Sequence, residues 1–173
     1  MNQYHTPQKL LHWVSAIIIL SLFALGVWMR TLDYYSSWYQ TAPDIHKSFG
    51  ILLILIFSAR LFFRLKLPSP TPLSNHKAWE IKVAHLTHFA MYLLLTSILI
   101  SGFLIGTADN RGIEVFGLFE VPALFTPFAE QEELAGAVHE WAAYILIGLV
   151  TLHVAGALKH HLIDKDQTLK RML

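Results

Sequence analysis

Four long apolar segments constrain the fold of this 173-residue chain more than any other feature. A helix needs about 20 mostly apolar residues to cross a bilayer. Backbone polar groups must be satisfied within the segment in lipid, so spans of this length are helical. The sequence therefore predicts a single integral membrane domain over residues 1–173, in contact with the lipid bilayer, with spans at about 9–29, 45–65, 83–106 and 134–162.

The composition narrows the function classes. Hydrophobic residues make up 54% of the chain and charged residues 14%, whereas an average soluble domain has about 45–50% and about 25%. A soluble enzyme is therefore disfavoured. The absence of cysteine excludes disulfides, thiolate zinc sites, iron–sulfur clusters and covalently attached c-type haem. A net charge of +1 gives no support for a nucleic-acid partner. The chain has ten histidines, so histidine is over-represented in a protein otherwise short of polar side chains.

Short connections between the spans predict an all-α, antiparallel four-helix transmembrane bundle. The long link between the third and fourth spans is acidic, and we expect it to carry a short interfacial helix. Lysine and arginine favour cytoplasmic flanks of membrane spans, which predicts that the N and C termini face the cytoplasm. The predicted inner side has Lys9, Arg60, Arg64, Lys66, Lys77, Lys82, Lys159, Lys165, Lys170 and Arg171, and the outer side has Arg30, Lys47 and Arg111.

Four histidines lie at paired depths in the spans, where ionisable residues are candidates for function. His139 and His153 are 14 residues apart, which is a rotation of about −40° and a separation of about 21 Å along one helix. His46 matches the depth of His139, and His12 matches that of His153. Two cross-helix pairs of this kind are typical of two bis-histidine b-type haems, whose iron takes axial imidazoles.

Spacing alone leaves alternatives open. His88 lies at the depth of His12 on another span, and periodicity does not separate the two as ligands of the inner haem. Gly50, Gly136 and Gly156 lie within a turn of the paired histidines, where we expect them to make room for a flat macrocycle. A metal-ion transporter would also use imidazole. Its path would place polar groups near the midplane, where these spans are apolar.

The residues resemble those of the bacterial cytochrome b561 family, the four-helix di-haem type, over essentially the whole chain. The resemblance implies two b-type haems, one held by His12 with His153 and the other by His46 with His139, and it argues against His88 as a ligand. The matching stretches are LHW at 11–13, DIHKSFG at 44–50, RLFFRLKLPSPTP at 60–72, AHLTHFAMYLLL at 84–95, HEWAAYILIGLVTLH at 139–153 and ALKHHL at 157–162.

The resemblance also implies exchange of electrons with quinones. Some members of the family resemble a superoxide:ubiquinone oxidoreductase, which oxidises superoxide outside the membrane and reduces ubiquinone within it. His88 and His160 are then the quinone candidates, since His160 follows His153 by seven residues, a rotation of about −20°. The candidates for contact with an anion or with haem propionates are Lys47, Arg111 and Arg60.

The resulting hypothesis is an oxidoreductase of the bacterial inner membrane. Electrons from an outer donor, either superoxide or a redox protein, would pass through two haems to ubiquinone. An alternative is a haem-bearing anchor subunit that passes electrons between a docked dehydrogenase or hydrogenase and quinone. A metal-ion transporter is the least favoured alternative.

Overall fold

The computed structural model describes residues 3–73, 75–125 and 127–173. It is all-α apart from one small hairpin, and its four long helices each contain one predicted span. All four are long and apolar enough to cross a membrane. The helices are α1 (Thr6–Met29), α2 (Thr41–Lys66), α3 (Ala78–Gly106) and α4 (Gln131–Leu162).

Contacts between helix ends define an up-and-down bundle. Near the start of α1, the Gln8 side chain donates to the Phe63 carbonyl near the end of α2, at 3.4 Å. At the opposite end, Gln131 at the start of α4 donates to the Leu104 carbonyl of α3, at 2.9 Å. Helix α1 packs mainly on α2, and α3 packs mainly on α4. The gap between these two helix pairs is where the histidines lie.

The closely packed core is small and lies at mid-height in the bundle. It consists of Leu53, Phe57, Leu95 and Leu146, all nearly inaccessible. Many other large apolar side chains point outward, as Leu152 does. This distribution fits a bundle whose outer surface is covered by lipid, because apolar side chains gain little from burial when lipid already covers them.

The prediction of a short interfacial helix between α3 and α4 was wrong. This link forms an antiparallel hairpin of β1 (Ile113–Val115) and β2 (Phe119–Val121). Phe116 and Gly117 have φ angles of 52° and 69°, the pattern of a type I′ turn, which glycine favours. The hairpin contacts the first part of α2 and the last residue of α3. The Phe116 amide donates to Ser48 Oγ at 3.0 Å, and Ile113 packs against Gly106. We call this the hairpin end of the bundle.

Both termini lie at the other end, which we call the terminal end. The Tyr4 amide donates to the Arg171 carbonyl at 3.2 Å. A 3₁₀ turn at Leu169–Arg171 directs the last residues across α1, where the Trp13 indole donates to the Met172 carbonyl at 2.9 Å. The C-terminal tail therefore covers the start of α1 beside His12.

Candidate functional site

Two histidine pairs span the gap between the helix pairs, one near each end of the bundle. The ring centroids of His46 on α2 and His139 on α4 are 6.2 Å apart. Those of His12 on α1 and His153 on α4 are 6.4 Å apart. The structure thus brings together the four histidines that the depth argument paired. We call them the outer pair (His46, His139) and the inner pair (His12, His153).

The ring separations fit one metal atom between each pair. With a metal–nitrogen bond of about 2.0 Å and a ring nitrogen about 1.15 Å from its centroid, two axial imidazoles have centroids about 6.3 Å apart. Both observed separations lie within 0.1 Å of that value. His88, by contrast, has its ring centroid 5.1 Å from that of His153. That separation is too short for the two rings to share a metal axially, so His88 is a neighbour of the inner pair.

A cavity of about 550 Å³ lies at the hairpin end, and both rings of the outer pair line it. Glycines allow the rings to approach the neighbouring helices. A Cβ atom on Gly26 would lie 3.3 Å from Cε1 of His46, and one on Gly102 would lie 3.0 Å from Cε1 of His139. Both distances are shorter than the usual carbon contact of 3.4 Å or more. These two glycines therefore set the positions of the outer rings.

The glycines singled out from the sequence behave differently. Gly50 lines the outer cavity and has open space where a Cβ would be, in agreement with its expected role. Gly136 and Gly156 also face open space. Gly136 is not among the described residues that line this cavity, whereas Gly156 follows His153 of the inner pair, so the outer cavity does not test its expected role. Sequence reasoning missed Gly26 and Gly102, because only the packing of one helix on another places them against a histidine ring.

One ring of the outer pair, His139, has the hydrogen bond expected of a histidine that binds a haem iron. Nδ1 of His139 lies 3.0 Å from the Ile98 carbonyl oxygen. A carbonyl only accepts, so Nδ1 carries the proton and Nε2 keeps its lone pair for a metal. Nδ1 of His46 is buried and has no hydrogen-bond partner among the described residues, so this ring lacks the equivalent hydrogen bond. The ring spacing, the cavity and the hydrogen bond of His139 together fit a haem at the outer pair.

The inner pair lies beside a positive charge. One Arg60 Nη donates to Nδ1 of His12 at 2.9 Å, and the other donates to Ser15 Oγ at 2.8 Å. The guanidinium carbon also lies 5.5 Å from the centre of the Tyr92 ring. Arginine only donates, so Nδ1 of His12 accepts this hydrogen bond and the proton of the neutral ring lies on Nε2. Nε2 would therefore bind a metal only after losing that proton or after Arg60 moves away. Arg60, a propionate candidate from sequence, thus contacts a proposed haem ligand directly.

His160 lies in a polar group at the terminal end that sequence reasoning did not foresee. Its Nδ1 is 2.7 Å from Asp164 Oδ2, and its ring centroid is 4.5 Å from that of His76. His76 in turn contacts Asp166, with Nε2 2.9 Å from Oδ2. We call this group the terminal cluster: His76, Glu80, Lys159, His160, Asp164 and Asp166.

Asp164 and Asp166, which follow α4 in the chain, are the terminal-cluster carboxylates that are held in the ionised form. Burial acts to raise the pKa of Asp166, but hydrogen bonds from the amide and hydroxyl of Thr168 and from His76 outweigh it. They lower the pKa of Asp166 from 3.8 to about 2. The hydrogen bond from Lys159 is the main cause of a lowered pKa at Asp164.

The cations near the outer cavity are mostly paired. Lys47 lines the cavity, and its Nζ lies 2.9 Å from Asp44 Oδ1. Arg111, whose side chain is 84% exposed, contacts Asp109 at 2.5 Å. Hydrogen bonds from the Arg111 amide and guanidinium lower the pKa of Asp109. Arg30, which the sequence gave no reason to single out, lines the cavity and forms an ion pair with Glu140.

Comparisons with known proteins identify the family to which this chain belongs. The family model described as prokaryotic cytochrome b561 matches residues 3–173. Cytochrome b561 homolog 2 of Escherichia coli K12 is 48% identical over 172 residues, which are 99% of this chain and 92% of that protein. Cytochrome b561 homolog 1 of the same organism is 28% identical, over 100% of this chain and 98% of that protein.

The name of a third relative states a function. The probable superoxide oxidase CybB of Yersinia pestis is 28% identical over 181 aligned positions, covering 99% of this chain and 96% of that protein. The family model matches nearly the entire chain, and one relative is far above 30% identity along almost its full length. The chain therefore belongs to the prokaryotic cytochrome b561 family, which consists of haem-containing electron-transfer proteins of the cytoplasmic membrane.

Proposed function

We propose that this chain transfers electrons across the cytoplasmic membrane, from a donor at the hairpin end to ubiquinone near the terminal end. Two b-type haems would be held by the outer and inner pairs. The observation that supports this most directly is the presence of two histidine pairs, each with ring centroids at the separation expected for two imidazoles that share one metal atom. When bound, the haems supply one-electron redox chemistry.

The proposed orientation places the terminal end in the cytoplasm. The last turn of α2 carries Arg64 and Lys66, and the 3₁₀ turn of the tail carries Lys170 and Arg171. The first turn of α4, at the hairpin end, carries Glu132 and Glu133. Positive flanks stay on the cytoplasmic side of membrane spans, so the hairpin and the outer cavity would face outward.

Superoxide is the donor that we propose, and Lys47 is the residue that would attract it. Its ammonium group lines the outer cavity and is half exposed, whereas the guanidinium of Arg111 is held by Asp109 in a turn. Nearby Asp44 reduces the net attraction, so the effect of Lys47 is local. The relative named a probable superoxide oxidase supports this choice of donor.

Ubiquinone would be reduced beside the inner pair. Two superoxide ions give up one electron each and become two oxygen molecules, while one ubiquinone takes up two electrons and two protons to become ubiquinol. His88 is half-buried against His153 and is our candidate for the hydrogen bond to a quinone carbonyl. His160 in the terminal cluster is our candidate for delivering protons from the cytoplasmic side.

Stopped-flow kinetics of the purified protein tests this function. We expect two haems per chain, rapid haem reduction by superoxide that superoxide dismutase abolishes, and re-oxidation by a soluble ubiquinone analogue. Lys47→Gln should slow reduction by superoxide several-fold, because Lys47 lines the outer cavity. The matched Arg111→Gln should leave the rate unchanged, because Arg111 is not among the described residues that line this cavity.

The outcomes separate the alternatives. Protein without haem would overturn the whole proposal. Haems that superoxide leaves oxidised would refute the donor. If a docked dehydrogenase or hydrogenase then reduced them, the chain would be the anchor subunit.

A further inference from the structure

Three segments that are distant in sequence converge in the terminal cluster. His76 belongs to the link between α2 and α3, His160 to the last turn of α4, and Asp166 to the C-terminal tail. One ligand atom from each lies within 4.8 Å of the other two. The side chains are 15%, 16% and 7% exposed, respectively. Two imidazoles and a carboxylate therefore face one another in a largely enclosed space.

The distances suit a tetrahedral metal ion. Two ligand atoms each about 2.05 Å from a tetrahedral zinc ion lie about 3.3 Å apart. Oδ2 of Asp166 is 2.9 Å from Nε2 of His76 and 3.5 Å from Nδ1 of His160. Both distances differ from the tetrahedral value by a few tenths of an ångström, and the His76 and His160 ligand atoms lie within 4.8 Å of each other.

One nitrogen in the cluster lacks a proper partner. Nδ1 of His160 is buried, and although Asp164 Oδ2 is only 2.7 Å away, the contact does not have the direction of a hydrogen bond. A buried ring nitrogen without a hydrogen bond is rare in folded proteins and calls for a ligand or ion. The hydrogen bonding within the cluster thus does not account for His160.

The charge balance also favours a dication. Lys159 contacts both Glu80 and Asp164, at 2.9 Å and 2.7 Å. Within residues 3–73, 75–125 and 127–173, Asp166 forms no ion pair with a lysine or arginine; its partners are Thr168 and the two histidines. An ionised, enclosed carboxylate of this kind is costly without a counter-charge.

We propose that the terminal cluster is a site for a divalent transition metal of the zinc class, with His76, His160 and Asp166 as ligands. The fourth position is left to Asp164 or water. Imidazole with carboxylate is a ligand set that zinc accepts. The ion would tie the α2–α3 link and the tail to α4. None of these residues belongs to the histidine pairs, but His160 is also the proton-delivery candidate of the proposed function, and an ion bound to it would block that role. Zinc binding itself is measured without electron transfer, so the two proposals can fail separately.

Zinc binding to the haem-loaded protein tests the site. After chelator treatment, protein equilibrated with Zn²⁺ should retain one zinc per chain by elemental analysis. His76→Ala and Asp166→Asn should each weaken zinc binding by about 100-fold or more. Replacing a residue that only hydrogen-bonds to a metal ligand already lowers metal affinity by about 10–100-fold. The matched control is His85→Ala, an exposed histidine of α3 outside the cluster, which should bind zinc like the wild type.

Two further measurements distinguish a variant that fails to fold from one that fails to bind zinc. An unchanged haem spectrum shows that each variant is folded, and zinc should raise the thermal midpoint of the wild type but not that of His76→Ala. Wild-type protein that retains no zinc would overturn the proposal. So would folded His76→Ala and Asp166→Asn proteins that bind zinc as tightly as the wild type.

Discussion

Gly102 offers the sharpest test of how the outer pair is built. A methyl group added here would lie 3.0 Å from Cε1 and 3.2 Å from Nδ1 of His139, while ordinary contacts begin at 3.4 Å. The ring must therefore retreat by about 0.4 Å or the helices must separate. The ring has little freedom to do so, because its Nδ1 donates to the Ile98 carbonyl. We expect Gly102→Ala to displace the imidazole from the position that the outer haem requires.

The size of the effect follows from the cost of overpacking. Inserting a methyl group into a well-packed site costs about 1–3 kcal/mol. If this cost falls on haem binding, affinity for the outer haem drops about 5- to 150-fold, since each 1.4 kcal/mol is tenfold. The inner pair lies at the other end of α4 and should be unaffected.

The assay is the haem-to-protein ratio from pyridine haemochrome absorbance, together with the rate of haem loss to an excess of a scavenger protein. Gly148→Ala is the matched control, because a Cβ atom on Gly148 meets nothing within 4 Å. It should retain both haems, and the better helix propensity of alanine should help rather than harm. If Gly102→Ala binds haem as tightly as Gly148→Ala, the ring position is not limited by this glycine and the steric reasoning fails.

Three further predictions test the two ends of the bundle. His139→Ala should reduce the haem content from two per chain to one, measured by haemochrome; loss of both haems, or of neither, would contradict the pairing. Arg60→Gln should lower the midpoint potential of the inner haem by on the order of 60 mV in a redox titration, because a nearby cation disfavours the ferric state. The guanidinium of Arg64 contacts Ser69 instead, so Arg64→Gln should shift this potential less. Asp166→Asn should lower the thermal midpoint, measured in chelator, above about pH 4, and the difference from wild type should shrink toward pH 2. The pKa of Asp166 is lowered from 3.8 to about 2, so its ionised form stabilises the fold above that range and this stabilisation is lost below it. A difference that stays constant with pH would contradict this.

The spans and the histidine pairing were accessible from the sequence for a physical reason. Hydropathy locates a span, and the fixed rise and rotation of a helix then give the depth and face of each side chain. His139 and His153 were therefore placed on one face of α4 before any packing was known. Depth also named His46 and His12 as their partners, which the structure places across from them.

Features that depend on contacts between helices were not accessible in this way. His12 and His88 are equivalent by depth, and only their ring distances to His153 distinguish them. Gly26 and Gly102 gain a role only from the rotation of α1 and α3 against the histidine rings. The terminal cluster joins residues 90 positions apart in sequence, and no local pattern predicts such a contact.

The two histidine pairs differ in a way that bears on the direction of electron flow. On the proposed ligand assignment, the Ile98 carbonyl accepts a hydrogen bond from Nδ1 of His139 and makes that imidazole a stronger electron donor, which would favour ferric iron in a haem held at the hairpin end. Arg60 brings a positive charge to His12 and would favour ferrous iron in a haem held at the terminal end. Both contacts would favour the electron at the terminal end, where His88 and the terminal cluster lie. Under the proposed function, the residues that hold the proposed ligands would therefore make electron transfer from an outer donor toward quinone downhill.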